Sequence, residues 1–338
     1  MKILITGGAG FIGSALVLKA IKKKYEVINI DNLTYAGNMQ NISNLKNNRN
    51  HYFIKADICN EKKMYNIMEK YQPDSIVHLA ASSHVDNSIK KPSDFINVNI
   101  FGTYSIIEAA RKYWINNNRL KKFRFLYIST DEVFGSAKGK SQFTEKNNYS
   151  PNNPYSASKA SGELIVKSWN KTYGFPGLIT NTSNNYGPRQ FIEKLIPLTI
   201  NNCLMEKKIP VYGNGKNIRD WIHVDDNADA ILTVLKKGKI NQNYNIGSNN
   251  EISNIQIVKL ICRIIDKKIK KNNSKNLIEF VADRPGHDFR YAIDCSKIKN
   301  ELGWNPKISF DKGLENTIDW YLDNQKWLKK NQSKLKKI

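Results

Sequence analysis

The chain has 338 residues, 40% of them hydrophobic, which indicates a globular protein with one large or two modest domains. Its 53 Lys and Arg against 30 Asp and Glu give a net charge of +23, although only nine of the basic residues are Arg. No apolar run approaches the roughly 20 residues of a membrane span, and no signal peptide precedes the first predicted strand, so we expect no membrane association.

Strand-like apolar runs alternate with helical segments along the first half of the chain. The predicted strands are residues 3–6, 27–30, 52–55, 75–79, 125–129 and 178–182, and the predicted helices are residues 15–24, 62–70, 103–114 and 155–173. Such alternation predicts a parallel sheet with right-handed crossovers. The fold class is therefore α/β, with a doubly wound parallel-sheet domain of the Rossmann type.

Beyond residue 187 the alternation becomes irregular. The pattern predicts a helix at residues 195–203, a strand and turn at 209–215, helices near 224–236 and 255–266, and an exposed loop at 267–276. We expect a smaller C-terminal α/β domain interleaved with the first. The first domain comprises residues 1–185 and about 220–247, and the second comprises about 186–219 and 248–338.

The segment GGAGFIG at residues 7–13 lies between the first strand and the first helix. Small residues at such a turn let the backbone approach a pyrophosphate at the helix N-terminus, so the setting predicts a dinucleotide site. Asp31 ends the second strand, where a carboxylate binds a ribose 2′-hydroxyl and repels a 2′-phosphate, which favours NAD over NADP. Asp57 and Ile58 follow the third strand, where the adenine should lie.

Tyr155 and Lys159 are four residues apart on a predicted helix and therefore share one face. An ammonium near a phenol favours the phenolate, which would make Tyr155 a base for a sugar hydroxyl. Asp131 and Glu132 follow the strand at residues 125–129, at the sheet edge where ligands bind. Two carboxyl groups there could form an acid/base pair, or they could simply cap a short helix.

Other polar residues have weaker signals. His84 and Asp86 follow the fourth strand without further metal ligands, so a polar rim of a substrate pocket is expected there and no metal site. Arg219, Arg284 and His287 are candidates for pyrophosphate or ribose contacts.

Cysteine and lysine usage bear on partners and location. The four cysteines lie far apart without a Cys-x-x-Cys motif, which predicts no disulfide and a cytoplasmic protein.

The lysine clusters at residues 267–271 and 329–337 contain neither Arg nor interleaved aromatic residues. Biased composition therefore explains the charge better than nucleic-acid binding, and we expect no nucleic-acid partner.

Taken together, these motifs resemble the extended short-chain dehydrogenase/reductases, and within them the dTDP-glucose 4,6-dehydratase family. The resemblance runs nearly end to end and rests on the segments GGAGFIG (7–13), DNLTYAGN (31–38), LAASSHVDNSI (79–89), STDEVFG (129–135), YSASK (155–159), TSNNYGP (182–188), EKLIP (193–197), RDW (219–221) and DRPGHD (283–288). Phe134, Val98 and Ile192 depart from the usual Tyr, Thr and Pro, and Val98 would remove one hydroxyl contact to the cofactor.

The resemblance implies a set of site residues. The implied catalytic residues are Thr130, Asp131, Glu132, Tyr155 and Lys159. The implied NAD contacts are Gly7, Gly10, Phe11, Ile12, Gly13, Asp31, Asn32, Leu33, Thr34, Asp57, Ile58, Leu79, Ala80, Ala81, Ser82, Tyr155, Lys159 and Asn185. The implied substrate contacts, centred on the second domain, are Ser83, His84, Thr130, Asn184, Lys194, Leu195, Pro210, Tyr212, Arg219, Asn254, Asp283, Arg284 and His287.

The activity that the resemblance implies is an NAD-dependent lyase reaction. It converts dTDP-glucose to dTDP-4-keto-6-deoxyglucose and water by C4 oxidation, C5/C6 elimination and hydride return to C6, within deoxysugar biosynthesis such as that of dTDP-rhamnose. The resemblance also assigns Glu132 as the C5 base and Asp131 as the C6 acid, and it implies a homodimer formed through helices at 103–114 and 155–173. The alternatives are a UDP- or CDP-sugar dehydratase, a related epimerase, or a basic RNA-binding protein on a dehydrogenase scaffold.

Overall fold

A computed structural model of the protein describes residues 1–270 and 273–335. Its strands are β1 (Lys2–Thr6), β2 (Glu26–Asp31), β3 (His51–Lys55), β4 (Ser75–His78), β5 (Arg124–Thr130), β6 (Gly177–Thr182), β7 (Asn184–Tyr186), β8 (Ile209–Tyr212), β9 (Ile218–His223), β10 (Asn243–Ile246), β11 (Glu251–Ser253) and β12 (Ile278–Val281). Its α-helices are α1 (Phe11–Lys22), α2 (Glu61–Tyr71), α3 (Val85–Lys90), α4 (Pro92–Phe95), α5 (Gly102–Asn116), α6 (Pro154–Tyr173), α7 (Leu195–Leu204), α8 (Val224–Lys237), α9 (Asn254–Ile269), α10 (Ser296–Leu302), α11 (Phe310–Asp323) and α12 (Gln325–Leu335). A π-helical turn covers Ile96–Phe101, and 3-10 helices cover Met39–Leu45, Asp131–Phe134 and Ser274–Leu277.

Seven strands form one parallel sheet in the order β10-β6-β5-β4-β1-β2-β3. The winding reverses between β1 and β4, which confirms the predicted doubly wound fold. At this reversal the connections leave toward opposite faces of the sheet, so a crevice opens at the carboxyl ends of the strands. The strand β10 was not predicted, because its alternating Asn residues hide a buried segment of only four residues.

Helices cover both faces of the large sheet. Ile3, Leu4 and Ile5 of β1 are fully buried, since side chains pointing either way meet a helical layer. The helices α1, α8 and α10 pack with Ile3 and Ile5 on one face, and α2, α5 and α6 pack with Leu4 on the other. The order of strands and helices along the chain thus creates two hydrophobic cores around a single sheet.

A smaller unit lies beyond the carboxyl edge of this sheet. In it β9 pairs in parallel with β7 and antiparallel with β11, and β8 pairs in parallel with β12. The helices α7, α9, α11 and α12 pack around these strands in a third hydrophobic core. Residues 298–304 lie between β12 and α11 in sequence but pack against the first core, so the chain crosses between the two parts more than once.

Two helix boundaries differ from the expectations. α1 begins at Phe11, four residues before the predicted start, because Gly10 is extended and the glycine loop runs directly into the first turn. α9 continues to Ile269, so the predicted loop at residues 267–276 starts in helix and later includes the 3-10 helix Ser274–Leu277. Within that predicted loop, residues 271–272 lie outside the described residues, as do the last two lysines of the cluster at 329–337.

The start of α6 is set by local chemistry. Asn153 caps the helix by accepting a hydrogen bond from Ser156 N at 2.9 Å, and the Ser156 hydroxyl lies 3.3 Å from Asn153 N. Pro154 occupies the first turn, where its missing N–H costs nothing. This reciprocal cap fixes the register of the helix and places Tyr155 in its first turn.

α6 approaches β5 unusually closely at Gly162. A Cβ atom on Gly162 would lie 2.2 Å from the hydroxyl oxygen of Tyr127, a fully buried residue of β5. The Tyr127 hydroxyl in turn donates to the carbonyl oxygen of Lys159 at 3.4 Å. The absence of a side chain at residue 162 therefore sets the distance between the helix and the strand.

Two features are absent from the described part of the chain. Within residues 1–270 and 273–335, no helix is long and apolar enough to cross a membrane. Over the same residues, no cluster of three or more His, Cys, Asp or Glu side chains could hold a metal ion.

We expect Gly162→Ala to lower the free energy of unfolding by about 1–3 kcal/mol, because the added methyl group overpacks the contact with Tyr127. The overpacking outweighs the gain in helix propensity of about 1 kcal/mol. Chemical denaturation measures the effect. Ser168→Ala, at an exposed position of the same helix, is the control and should change stability by no more than about 0.5 kcal/mol. Equal stability of Gly162→Ala and the parent would contradict the close packing.

Candidate active site

A cleft of about 490 Å³ opens at the carboxyl ends of β1, β4, β5 and β6 and is also lined by residues of the smaller unit. Most residues predicted as site residues line it, including every predicted catalytic residue. The predicted residues in the lining are Gly7, Gly10, Phe11, Ile12, Gly13, Asp31, Asn32, Thr34, Ile58, Leu79, Ala80, Ala81, Ser82, Ser83, His84, Thr130, Asp131, Glu132, Tyr155, Lys159, Asn184, Asn185, Lys194, Leu195, Pro210, Tyr212, Arg219, Asn254, Arg284 and His287.

Three predicted site residues lie outside the lining and contact residues within it. Leu33 donates its backbone N–H to Asp31 Oδ1 at 2.7 Å, and Asp57 Oδ2 accepts from Asn32 Nδ2 at 3.0 Å. Asp283 Oδ1 lies 2.6 Å from His287 Nδ1. These three residues orient neighbours that face the cleft.

The glycine loop has the shape that a dinucleotide requires. Gly7 has φ +75°, and a Cβ atom on Gly13 would lie 2.0 Å from the Gly7 carbonyl oxygen, so side chains at these positions would close the turn. Gly10 precedes α1 without any side-chain cap. The N-terminus of α1 is thus presented to the cleft as a site for phosphate groups, and the loop fits the pyrophosphate of a dinucleotide.

Asp31 lies at the end of β2, in the wall of the cleft next to this loop. Its carboxylate accepts hydrogen bonds from Ala9 N at 2.9 Å and Leu33 N at 2.7 Å. Burial raises the pKa of Asp31, although these backbone N–H groups oppose the shift. The carboxylate is therefore fixed in place at the position where this fold binds a ribose 2′-hydroxyl.

The segment at residues 79–82 forms the floor of the cleft and is held by two buried polar residues. Thr6 Oγ1 accepts from Leu79 N at 3.2 Å and from Ala80 N at 3.1 Å. Asn99 accepts from Ser82 N at 2.8 Å and donates to the Ser82 carbonyl oxygen at 3.0 Å. These hydrogen bonds hold the backbone of residues 79–82 in one conformation.

Thr130, not Asp131, caps the short helix that follows β5. The Thr130 hydroxyl accepts from Glu132 N at 3.3 Å, and Asp131 lies inside the 3-10 helix Asp131–Phe134. The alternative in which Asp131 serves as an N-cap is therefore wrong. The strand ends at Thr130, and the tight turn that follows brings both carboxyl groups to the cleft.

The two adjacent carboxyl groups differ in environment. Asp131 is only 2% exposed, and burial, followed by the charges of Glu132 and Asp220, raises its pKa well above the usual range. Glu132 Oε2 lies 3.3 Å from the hydroxyl of Tyr291, a buried residue of the smaller unit. A carboxyl group with a raised pKa thus lies next to one that has its own hydrogen-bond partner, and an acid/base pair needs such a difference in environment.

Tyr155 and Lys159 both face the cleft, and burial is the main cause of the pKa shift of each. Burial and then the charge of Glu132 raise the pKa of Tyr155, while a hydrogen bond from Thr130 opposes the shift. Lys159 Nζ donates to the carbonyl oxygen of Ile128 at 2.7 Å and lies 4.1 Å from the centre of the Tyr127 ring. The ammonium therefore stabilises the end of β5, and burial lowers the pKa of Lys159 to about 7.

The outer end of the cleft is closed by contacts between the two parts of the protein. Asp86 Oδ2 accepts from the Tyr212 hydroxyl at 2.8 Å, and Asp86 Oδ1 accepts from Arg284 Nη1 at 3.2 Å. Although burial opposes it, these hydrogen bonds and the Arg284 charge lower the pKa of Asp86. Lys194 Nζ donates to the Ser83 carbonyl oxygen at 2.9 Å on the same side.

Arg219 is held more firmly than a surface arginine. Its guanidinium donates to the carbonyl oxygens of Asp288 and Phe289 at 2.9 and 3.2 Å and lies 4.1 Å from the centre of the Tyr291 ring. Only 4% of the residue is exposed, so the cation faces the cleft in a fixed orientation. Such a pre-positioned charge suits an anionic ligand.

Several residues that line the cleft were not predicted as contacts, including Gln190, Phe191, Glu193 and Trp221. Asp86, expected at the polar rim, and Val98, expected near the cofactor, also line it. Glu193 adjoins Lys194 and Trp221 lies in the segment RDW, so the sequence contained a signal for them. Gln190 and Phe191 had none, because they reach the cleft only through the packing of the segment between β7 and α7.

Comparison with known proteins shows which family has this arrangement. The model of the GDP-mannose 4,6 dehydratase family matches residues 4–317. The dTDP-glucose 4,6-dehydratase of Escherichia coli is 52% identical, with 97% of this chain and 95% of the relative covered. The enzyme of the same name from Haemophilus influenzae is 51% identical, with 96% and 98% covered. The chain belongs to the dTDP-glucose 4,6-dehydratase family.

Solved structures support this assignment. The dTDP-glucose 4,6-dehydratase of Bacillus anthracis, solved in complex with NAD, has a TM-score of 0.88 and 42% identity, with 98% and 99% of the two chains covered. DesIV of Streptomyces venezuelae, a dTDP-glucose 4,6-dehydratase solved with NAD bound, has a TM-score of 0.89 and 38% identity, with 97% and 98% covered. A UDP-glucose 4-epimerase of Thermotoga maritima has a TM-score of 0.85 but only 30% identity, with 96% and 100% covered. The fold is thus shared with epimerases, whereas the higher identities are to dehydratases.

We expect Asp86→Ala to weaken the binding of dTDP about 10-fold, because Tyr212 and Arg284 lose the carboxylate that orients both. Loss of a hydrogen bond to a charged group costs about 1.5–3 kcal/mol, which is enough for that change. Isothermal titration calorimetry with dTDP measures the effect. Asp94→Ala, an exposed carboxylate outside the cleft, should bind dTDP like the parent. Equal affinities of the two variants would show that Asp86 orients nothing that binds the nucleotide.

Proposed function

We propose that this protein is a hydro-lyase that converts dTDP-glucose to dTDP-4-keto-6-deoxyglucose and water, for deoxysugar biosynthesis. One observation carries the proposal: Asp131 and Glu132 share a single cleft with Tyr155, Lys159 and the glycine loop. Oxidation at one carbon needs only the phenol and the loop. The added carboxyl pair supplies the proton transfers that elimination of water requires.

NAD is the cofactor that fits the cleft. The glycine loop and the N-terminus of α1 suit its pyrophosphate, and the Asp31 carboxylate suits an adenosine ribose with a free 2′-hydroxyl. The side-chain-free turn at Gly7 and Gly13 leaves the space that this group needs. When bound, NAD would supply the hydride acceptor for oxidation at C4 of the sugar and the hydride donor for reduction at C6.

Tyr155 removes the proton of the C4 hydroxyl. Its phenol faces the cleft with a raised pKa, so its ionisation depends on positive charge brought near it when the site is filled. Lys159 contributes from the end of β5, and Thr130 hydrogen-bonds the phenol. These residues position and deprotonate one hydroxyl group.

Glu132 and Asp131 carry the elimination. A ketone at C4 acidifies the C5 proton, and we assign Glu132 to remove it. Burial raises the pKa of Asp131 and so favours the protonated form, which can donate to the departing C6 hydroxyl group. Glu132 returns its proton to C5 as the hydride is returned at C6, which restores the Glu132 carboxylate. The proton that Tyr155 took from the C4 hydroxyl balances the one that Asp131 gave up.

Incubation with dTDP-, UDP- and CDP-glucose, followed by mass spectrometry, tests the proposal directly. We expect loss of one water molecule from dTDP-glucose. A 4-keto product from UDP- or CDP-glucose alone would support a related dehydratase, and an isomer of unchanged mass would support an epimerase. Salt-dependent RNA binding without turnover of any sugar nucleotide would support the nucleic-acid alternative.

We expect Asp131→Asn to slow the loss of water far more than the oxidation at C4, by about 10²–10⁴-fold, because the amide cannot donate an acidic proton. In a single turnover the variant should accumulate reduced cofactor absorbance and a 4-keto-glucose nucleotide. The matched variant Tyr155→Phe should accumulate neither, because it blocks the earlier step. Glu132→Gln should slow exchange of the C5 proton with solvent deuterium. Parent-like dehydration by Asp131→Asn would refute the acid assignment.

The division into domains also remains a proposal. Residues 1–185 and about 220–247 would form the NAD-binding domain, and residues 186–219 and 248–338 the nucleotide-sugar-binding domain. The membership of β10 in the large sheet and the third core around α7, α9 and α11 support this division.

We also propose a cytoplasmic location, since the four cysteines are free thiols although Cys203 Sγ and Cys262 Sγ lie 3.8 Å apart.

We further propose that the protein forms a homodimer through α5 and α6. Large apolar side chains are exposed on this face, including Phe101 at 49%, Leu164 at 56% and Tyr173 at 43%. Tyr104 and Trp169 join the two helices edge to face, with ring centres 6.1 Å apart. A contiguous apolar face of this kind is typical of a protein–protein interface.

We expect Leu164→Glu to convert the dimer to a monomer, because it places a charge within this apolar face. Sedimentation velocity measures the molecular mass in solution. Phe280→Glu, at a residue 58% exposed on β12, is the matched control and should leave the dimer intact. A parent that sediments as a monomer would refute the dimer.

A further inference from the structure

A third ionisable residue lies on the face of α6 that carries Tyr155 and Lys159. Glu163 is four residues beyond Lys159 and is fully buried. It lies outside the cleft lining, so it cannot touch a substrate. A buried carboxyl group is costly unless it is charge-balanced and hydrogen-bonded, so its environment indicates its role.

The side chains around Glu163 donate hydrogen bonds to its carboxylate. Asn181 Nδ2 donates to Glu163 Oε1 at 2.6 Å, and the Tyr149 hydroxyl donates to Glu163 Oε2 at 2.5 Å. Lys167 Nζ donates to that same Tyr149 hydroxyl. The hydroxyl oxygen thus accepts from Lys167 while its proton is donated to Glu163. Burial raises the pKa of Glu163, but hydrogen bonds from Ser129, Tyr149 and Asn181 and the charge of Lys167 oppose the shift and favour the carboxylate. Short hydrogen bonds of this kind are typical of a charged acceptor.

Asn181 connects Glu163 to the catalytic segment. The same amide nitrogen also donates to the Thr130 carbonyl oxygen at 3.2 Å. Thr130 ends β5 and caps the turn that carries the two carboxyl groups. One amide thus links the catalytic face of α6 to the residue that positions Asp131 and Glu132.

Glu163 also opposes the loss of charge from Lys159. The ammonium of Lys159 is buried against β5, and burial lowers its pKa to about 7, while the charge of Glu163 acts in the opposite direction. The ionisable groups near these two residues include Tyr149, Lys167, Tyr127, Tyr155 and His78. The pKa of His78 is lowered to about 3 by burial, so this neighbour is neutral and adds no positive charge.

We propose that Glu163 is a positioning residue of the active site. Through Asn181 its carboxylate holds the face of α6 against the end of β5, and its negative charge keeps Lys159 in the ammonium form. The inference rests on the proposed function, since it concerns the same site.

The negative charge of Glu163 determines the direction in which the pH profile of kcat should move. Removing the negative charge of Glu163 lowers the pKa of Lys159, so the ammonium is lost at a lower pH. The alkaline limb of the kcat profile should therefore move to lower pH in Glu163→Gln. A shift of one pH unit would reduce kcat about 10-fold at pH 8, where the ammonium is already scarce, and much less at pH 6.

Tyr149→Phe is the matched control, because it removes one hydrogen bond from Glu163 but leaves the carboxyl group in place. It should move the alkaline limb less than Glu163→Gln does, since the other hydrogen bonds and the charge of Lys167 still favour the carboxylate. Unchanged pH profiles in both variants, or a uniform loss in Glu163→Gln, would overturn the electrostatic role. If the parent fails to turn over dTDP-glucose, the proposed function itself fails.

A measurement that is independent of activity separates these outcomes. The ¹³Cε resonance of Lys159 in lysine-labelled protein, assigned by its absence in Lys159→Met, reports the titration directly. We expect a midpoint near neutrality in the parent and a lower one in Glu163→Gln, and equal midpoints would overturn the proposal. If Glu163→Gln does not fold, the ¹³C resonance of the labelled side-chain carboxyl carbon of Glu163 in the parent reports its protonation state. Glu163→Asp serves to assign that resonance. A protonated Glu163 at pH 7 would then refute the proposal.

Discussion

The close packing of α6 against β5 is the contact on which the rest of the site depends. Gly162 allows the helix to reach the buried Tyr127 hydroxyl, and Asn181 bridges the same gap with hydrogen bonds to Glu163 and to Thr130. The phenol and ammonium come from the helix, whereas the two carboxyl groups come from the turn after the strand. A change of a few tenths of an ångström between the helix and the strand would alter every distance in the catalytic group.

Burial then sets the chemistry of these groups. The pKa of Asp131 and of Tyr155 is raised and that of Lys159 is lowered, so each shift favours the neutral form. A neutral Asp131 is a useful acid, but a neutral Tyr155 is a poor base and a neutral Lys159 a poor electrostatic partner. The site therefore requires added charge, which Glu163 supplies for Lys159 and a bound cationic cofactor would supply for Tyr155.

The smaller unit completes the site from the other side of the cleft. Tyr212 and Arg284 meet at Asp86, and Tyr291 reaches Glu132, so residues far apart in sequence share hydrogen bonds across the cleft. Arg219 is fixed by backbone carbonyl groups before any ligand arrives. Such pre-organisation lowers the entropy cost of binding an anionic substrate.

Much of this could be predicted from the sequence, because local chemistry determines it. Alternating apolar runs predicted the parallel sheet, the spacing of Tyr155 and Lys159 placed them on one helical face, and the glycine loop was identifiable by its position after β1. The sequence did not reveal β10, whose Asn-rich residues resemble a loop until the sheet buries them. Nor did it show that the Lys159 ammonium donates to a carbonyl oxygen of β5, or that Asn181 links Glu163 to Thr130. Those features depend on contacts between residues distant in sequence and on the exclusion of water, and only the packed tertiary structure decides both.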